Sequence, residues 1–284
     1  MIPAPFEYHS PVTLKEALDL LSSREGVKIL AGGQSLVPLM KLRLAKPGTI
    51  VDLGRIPDLN YIREQGDYIL LGAMTTYAQM EASALLHAHC PLLPQTAATI
   101  GDVQVRNQGT VGGSLAHADP AGDMPAAILA LGAEMKAVGL KGERCIKAED
   151  FFLGLLTSAL EPDEILTEVR VPVLAQTKTA YLKAAQRASG FAVVGIAVCL
   201  RLDQGGSCRD IAVGVTGVGD KVYRAEGVEK MLRGKSCETK LIEKAAREVT
   251  SGVDVIEDIN GSKEYRSHLA SVYTVRAIEA ALKT

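Results

Sequence analysis

The chain has no tryptophan, and aromatic residues make up only 4% of its 284 positions. So few rings exclude a binding site that rests mainly on stacking. It also has little net charge: 31 Lys and Arg stand against 33 Asp and Glu, a balance of -2. Without a basic face there is no electrostatic footprint for nucleic acid. The five cysteines (Cys90, Cys145, Cys199, Cys208 and Cys237) include no CxxC pair, which removes the usual zinc and iron–sulfur signatures. An odd, scattered set of thiols fits a reducing cytoplasm better than a disulfide framework. The five histidines are dispersed too. Only His87 and His89 are close, and as strand residues they would point to opposite faces, so no metal site is expected. No uncharged apolar run approaches the roughly 18 residues of a membrane span. The opening MIPAPFEYHSP lacks the basic and apolar regions of a signal peptide. A soluble, intracellular protein is expected.

What is present is apolar bulk and glycine. Hydrophobic residues are 47% of the chain, too many for disorder, and 284 residues suit two cores better than one. Thr13 followed by Glu16 forms a capping box, and Leu14, Ala17, Leu18 and Leu21 share one face, which predicts a helix over 13–23. Short strands are predicted at 27–30, 50–53 and 68–73, and helices at 75–86 and 91–100. A further helix is predicted from about 124, with Asp123 as its N-cap and Pro125 in its first turn. Val169–Pro172 alternates and stops at proline. Composition shifts over 173–179. Beyond it, 181–186, 193–202 and 211–218 read as antiparallel strands, and 224–234, 237–250 and 263–282 as helices. The last is expected to pack on Tyr265, Leu269, Val272, Val275, Ala277 and Ala280. Strands followed by helices suggest a separate α+β domain.

Two glycine-rich turns carry the chemistry: Ala31-Gly32-Gly33-Gln34-Ser35-Leu36 and Thr110-Val111-Gly112-Gly113-Ser114-Leu115. Paired glycines admit positive φ and let N–H groups approach a ligand with no Cβ in the way. Consecutive inward N–H groups form an anion-binding nest. Ser35, Thr110 and Ser114 add hydroxyls. Two such turns suit a diphosphate, although a single GG turn is more often just a tight turn. Neither is a P-loop or a strand-linked GxGxxG. His117 and Asp119 sit two residues apart in a Gly/Pro loop with no placed nucleophile, so no catalytic residue is assigned.

These residues also resemble a known family. AGGQSLVPLMKLRLAKPGTIVDL, TIGDVQVRNQGTVGGSLAHADPAGDMPAAILALGA, the opening PxxFxYHxP, EPDEILTEVRVP and KEYRSHLASVYTVRAIEAAL are similar to the FAD-binding medium subunit of the molybdenum hydroxylases. The nearest look is that of the aerobic carbon monoxide dehydrogenases. The resemblance covers essentially the whole chain, with the two glycine motifs about 80 residues apart. It implies an α+β fold: a two-lobed, vanillyl-alcohol-oxidase-type FAD domain over 1–175 (lobes about 1–55 and 56–175). A smaller C-terminal domain with an antiparallel sheet and packed helices would follow over 176–284. It further implies FAD contacts at Ile29, Leu30, Ala31, Gly32, Gly33, Gln34, Ser35 and Leu36. Others fall on Thr110, Val111, Gly112, Gly113 and Ser114, and on Ile100, Asp123, Leu166 and Lys183. Lys183, otherwise read as a solvated strand lysine, would stabilise negative charge on reduced flavin. Gln34 stands where His is common in carbon monoxide dehydrogenases, and Ser114 where Asn is usual.

The implied function is electron transfer. A large molybdopterin subunit would oxidise carbon monoxide, an aldehyde or an N-heterocycle. A small [2Fe–2S] subunit would relay electrons to FAD here, in a dimer of heterotrimers. The competing readings are a stand-alone flavin oxidoreductase with the same FAD domain, and a non-redox module that binds a diphosphate cofactor. One or two of the eight tyrosines are expected near the flavin.

Overall fold

The structure is a computed structural model that describes residues 2–284. The first lobe is a small parallel sheet of β1 (Glu7–His9), β2 (Val27–Leu30) and β3 (Thr49–Asp52), in the order β1-β3-β2. The helix Leu14–Ser23 connects β1 to β2. Thr13 caps it by accepting from the Glu16 N–H, and the Glu16 carboxylate answers by accepting from the Val12 N–H. The cap box is therefore present but shifted one residue outward. Ala17 and Leu18 pack on Val51 and Leu53 to close this lobe's core.

The second lobe is an antiparallel sheet of β4 (Ile62–Gln65), β5 (Tyr68–Gly72), β6 (Glu134–Gly139) and β7 (Gly142–Lys147). After the small hairpin β8 (Phe152–Gly154) and β9 (Thr157–Ser158), β10 (Ile165–Pro172) enters its middle, giving the order β4-β5-β10-β6-β7. Its apolar face packs on a cluster of short helices around Met80, Leu92, Leu115, Met124 and Ile128.

The third sheet is antiparallel: β11 (Lys178–Ala185), β12 (Ala192–Leu202), β13 (Cys208–Thr216) and β14 (Tyr223–Arg224). β12 is buried from Ala192 to Leu200 because both its faces are covered. Ala197 and Cys199 face the core of the second lobe, while Ile196, Val198 and Leu200 face the C-terminal helices. That is the period of two expected for a strand. The same alternation puts Thr179, Tyr181 and Lys183 of β11 on the side of the second lobe.

Several elements differ from the sequence-based expectation. The stretch 75–86 is two helices, Tyr77–Ala82 and Ala84–His89, because Ser83 turns out of helical geometry and caps the second. His87 and His89 lie on that helix, not on a strand. The last helix, Lys263–Lys283, buries Arg266, Ala270, Thr274, Ala277, Ile278 and Ala281, while Tyr265 is exposed. The buried face starts at a charged residue because Arg266 donates to the Val193 carbonyl (2.8 Å), the Gly217 carbonyl (2.5 Å) and Asp258 (2.6 Å). No helix among the described residues is long and apolar enough to cross a membrane.

Candidate functional site

The first glycine turn leaves β2 and runs into the six-residue helix Leu36–Lys41. Gly33 makes the turn with φ +72°, a left-handed conformation that glycine adopts without a steric cost. Val37 N–H returns to the Gly33 carbonyl. The backbone N–H groups of Gly33, Gln34, Ser35 and Leu36 have no acceptor in the chain among the described residues, and the Ser35 hydroxyl makes no capping bond. Four consecutive donors without a partner in the chain form an anion-binding nest. Ile29 and Leu30 end β2 and are half-buried beside it, as is Ala31. Gln34 is exposed, its side-chain amide donating to the Gly32 carbonyl at 3.3 Å.

The second turn is built differently. It follows no strand; Gly112 and Gly113 lie in the first turn of the helix Val111–His117, capped by Thr110. Its donors are already engaged. Val111 N–H goes to the Thr75 carbonyl, Gly112 N–H to the Ala73 carbonyl and Ser114 N–H to the Thr110 carbonyl. Gly113 N–H goes to the Thr110 hydroxyl at 3.1 Å. The expected second nest is thus absent, and Gly112 has another purpose. A Cβ there would lie 2.5 Å from the Ala73 Cβ, so the glycine lets the helix rest directly on the end of β5. What this turn offers a ligand is its half-buried Ser114.

The two turns touch. A Cβ on Gly32 would meet the Gln108 carbonyl oxygen at 2.0 Å, and one on Gly113 would stand 3.2 Å from the Ala31 Cβ. The open nest of one lobe therefore lies directly against the closed turn of the other.

Asp123 and Lys183, 60 residues apart, form a buried ion pair. Their side chains are 7% and 8% exposed, with Lys183 Nζ 3.0 Å from Asp123 Oδ2. Lys183 also donates to the Gly190 carbonyl at 2.7 Å. A solvated strand lysine is thereby ruled out, and one of its three ammonium donors is left over. Asp123 is not the N-cap expected from sequence. Gly122 occupies that position and Asp123 is the first residue of the helix Asp123–Leu131. Shifted inward by one residue, its carboxylate meets the second domain instead of its own helix end: Tyr181 Oη donates to Oδ1 at 2.5 Å. Burial pushes the Asp123 carboxyl up, while Lys183 and Tyr181 pull it down. Tyr181 and Tyr77 were not singled out by sequence. Burial raises the Tyr77 phenol, and the Asp123 charge adds to this. The period of β11 is the signal for Tyr181, because it puts this residue on the same face as Lys183.

Ile100 is half-buried, and its carbonyl accepts from Arg106 Nη1 at 3.3 Å. The adjoining Gly101 faces Gly190, the residue whose carbonyl holds Lys183. Leu166 is 4% exposed in the core on β10, just before a register shift between Leu166 and Glu168. On the other side of β10, the Thr167 carbonyl accepts from the Ala73 N–H and continues the β10–β5 register, beneath Gly112.

The donor set fits a diphosphate carried on a hydroxyl-rich chain. Consecutive N–H groups suit the phosphate oxygens, and a carboxylate beside an ammonium suits hydroxyls and ring heteroatoms.

Comparison with known proteins agrees with this. Residues 4–174 match the family model described as the FAD binding domain in molybdopterin dehydrogenase, and residues 179–281 match the CO dehydrogenase flavoprotein C-terminal domain. The chain is 38% identical to the glyceraldehyde dehydrogenase medium chain of Sulfolobus acidocaldarius, over 98% of this chain and 99% of that one. It is 39% identical to the carbon monoxide dehydrogenase medium chain of Hydrogenophaga pseudoflava, over 99% and 98%. A chain in the structure of the Hydrogenophaga pseudoflava carbon monoxide dehydrogenase lacking the Mo-pyranopterin moiety superposes with a TM-score of 0.96 at 40% identity, covering 100% of this chain and 99% of its own.

Proposed function

This chain belongs to the family of FAD-binding medium subunits of the molybdenum hydroxylases, and from that premise we propose that its first glycine turn holds the FAD diphosphate. It is an oxidoreductase subunit with a two-lobed FAD-binding domain and a flavoprotein C-terminal domain. Its partners are a large molybdenum subunit, which oxidises the substrate, and a small iron–sulfur subunit. FAD, when bound, supplies the exchange between one-electron iron–sulfur carriers and an external acceptor of one or two electrons.

The single observation that carries the site assignment is the run of four open N–H groups from Gly33 to Leu36, pressed against the second turn. In this assignment the nest binds the phosphates. Ser35 and Ser114 add hydroxyl contacts, and Thr110 holds the second turn in shape. Ile29, Leu30 and Ala31 form the apolar wall before the nest. Asp123 accepts from hydroxyls, and the spare donor of Lys183 faces the carbonyl edge of the flavin. Ile100 contributes its backbone next to Gly101. Leu166 acts from below, through packing. No residue of this chain serves as nucleophile or general base.

The substrate is carbon monoxide, an aldehyde or an N-heterocycle, and is selected on the large partner. The holoenzyme is a dimer of heterotrimers in the cytoplasm, where the five free thiols stay reduced.

The test is a tagged copy isolated from its native host. The expected preparation is yellow, its flavin bands bleach with a reductant, and it brings down one large and one small chain. A colourless protein that cannot take up FAD would refute the assignment. A yellow chain that is alone and turns over a small organic substrate would favour the stand-alone oxidoreductase.

A further inference from the structure

Lys183 and Asp123 do not make a complete polar unit by themselves. The carboxylate is held from its other side by Tyr181, whose hydroxyl reaches Oδ1 at 2.5 Å while Lys183 occupies Oδ2 at 3.0 Å. Both holding groups come from β11 in the second domain, two residues apart on one face. The carboxylate belongs to the FAD-binding domain.

The surroundings are shaped for this phenol. A Cβ on Gly195, in the neighbouring strand β12, would sit 2.4 Å from Tyr181 Oη. Any residue other than glycine there would push the hydroxyl off Asp123. The same face of the sheet is fastened close by. Thr216 donates to the Pro120 and Gly122 carbonyls at 2.6 and 2.8 Å, on the loop just ahead of Asp123. A Cβ on Gly214 would lie 2.1 Å from the Ala126 carbonyl, so β13 rests backbone to backbone on the Asp123–Leu131 helix.

We infer that Tyr181 is a positioning residue for the cofactor: it clamps the Asp123 carboxylate against Lys183, so that retention of FAD depends on the second domain. The inference rests on the assignment of Asp123 as an FAD contact. A carboxylate has about four lone-pair directions. With one oxygen fixed by the phenol and the other by the ammonium, its remaining directions are set and it cannot rotate when the cofactor arrives. Such pre-ordering lowers the cost of binding.

The clamp also favours the charged form of Asp123. The groups facing it are Lys183 and Tyr181 from β11, and the buried Tyr77. Burial raises the Tyr181 phenol well above its ordinary range, so it remains a donor at every relevant pH. Burial also raises the Asp123 carboxyl, and the hydrogen bond from Tyr181 is among the forces that lower it. Removing that bond moves its titration toward neutrality. A protonated Asp123 loses both its charge and part of its acceptor capacity.

The experiment strips flavin from the full chain and titrates FAD back by fluorescence between about pH 5 and pH 8. The wild type is compared with Tyr181→Phe and Asp123→Asn. Tyr181→Phe is expected to weaken FAD about tenfold at neutral pH, in line with loss of a hydrogen bond to a charged group. It should also move the acid limb of binding to higher pH. Asp123→Asn should weaken FAD and have no acid limb from this group. A merely structural tyrosine would lower the melting temperature of the flavin-free chain and leave that limb in place. If Asp123→Asn loses FAD while Tyr181→Phe keeps both the affinity and the acid limb of wild type, the clamp is wrong and the Asp123 contact stands. If Asp123→Asn binds as wild type does, the contact itself is wrong. Should Tyr181→Phe fail to fold, Gly195→Ala displaces the same hydroxyl and must give the same shift of the acid limb; its absence overturns the clamp.

Discussion

Gly32 lies so close to the carbonyl of Gln108 that a Cβ on it would stand 2.0 Å from that oxygen. The two glycine motifs, 80 positions apart in sequence, meet at this contact. Of the four glycines, Gly33 turns the chain with positive φ, while Gly32 and Gly112 permit backbone-to-backbone packing. Only the first turn keeps its N–H groups free. The motifs therefore divide the work: one is the nest, and the other is the surface that supports it.

Gly32→Ala tests this division. No side-chain rotation relieves an overlap with backbone, so the lobes must separate or the turn must move. Overpacking of this kind typically costs about 1–3 kcal/mol. The substitution is expected to lower the melting temperature of the flavin-free protein by several degrees and to abolish FAD uptake. Wild-type values of both would show that the lobes do not meet as described.

How far sequence reaches into this site is decided residue by residue. The run Ala192–Leu202 is legible as a strand because continuous apolar character is what a doubly covered strand needs. The two glycine motifs are legible because few residues other than glycine tolerate positive φ or such close approach. The closure of the second nest is not legible, because its acceptors, the Ala73 and Thr75 carbonyls, lie almost 40 residues upstream. Asp123 reads as a cap because local capping chemistry is strong, yet its partners are Tyr181 and Lys183 in the other domain. Arg266 is absent from the apolar face expected of the last helix, and arginine is seldom fully buried. Only the folded arrangement supplies the carbonyls of Val193 and Gly217 that accept from its Nη1.

Thr216→Val should loosen the second domain from the first. The hydroxyl is fully buried and serves the Pro120 and Gly122 carbonyls. Valine keeps the shape and leaves the Gly122 carbonyl without that donor, while Pro120 keeps the Gly217 N–H, at an expected cost of about 1–3 kcal/mol. Urea unfolding should show a lower midpoint with FAD binding weakened. An unchanged midpoint would mean that the hydroxyl does not fasten the interface.

Acid should destabilise the fold through carboxylates held below their ordinary range. Burial pushes Glu168 up, but the hydrogen bonds from Tyr61 (2.6 Å) and Arg170 (2.7 Å) more than offset it, leaving this carboxyl lowered. The Glu164, Asp210 and Asp258 carboxyls are lowered as well. A group depressed in the folded state contributes stability above its unfolded value, about 4.3 for Glu. That stability is lost as pH falls through the folded value. Asp123, which is raised, acts in the opposite sense: protonation relieves the cost of burying its charge. The melting temperature of the flavin-free protein should therefore fall below about pH 4. Glu168→Gln, less stable at neutral pH, should show a shallower fall. A variant whose acid limb is as steep as that of wild type would show that Glu168 contributes none of it.

Gly33→Ala separates cofactor binding from stability. The added Cβ would meet Val37 Cγ2 at 3.1 Å and Leu30 Cδ1 at 3.3 Å, contacts that side chains can relieve by small shifts. The strain that remains is the left-handed backbone at φ +72°, worth about 1–2 kcal/mol for a residue with a Cβ. The flavin-free protein should lose only a few degrees of melting temperature. The nest is more sensitive, because relief of that strain rotates the peptide between Gly33 and Gln34 and turns an N–H away from the phosphates. FAD affinity should fall by at least tenfold, which exceeds what the stability change alone produces. Gly113→Ala reverses the balance: its Cβ would crowd Thr110 Oγ1 at 2.8 Å and disturb the cap of the Val111–His117 helix, so stability should fall first. Equal loss of affinity and stability in both variants would show that the two turns do the same work, and that the open N–H groups of the first are not the phosphate site.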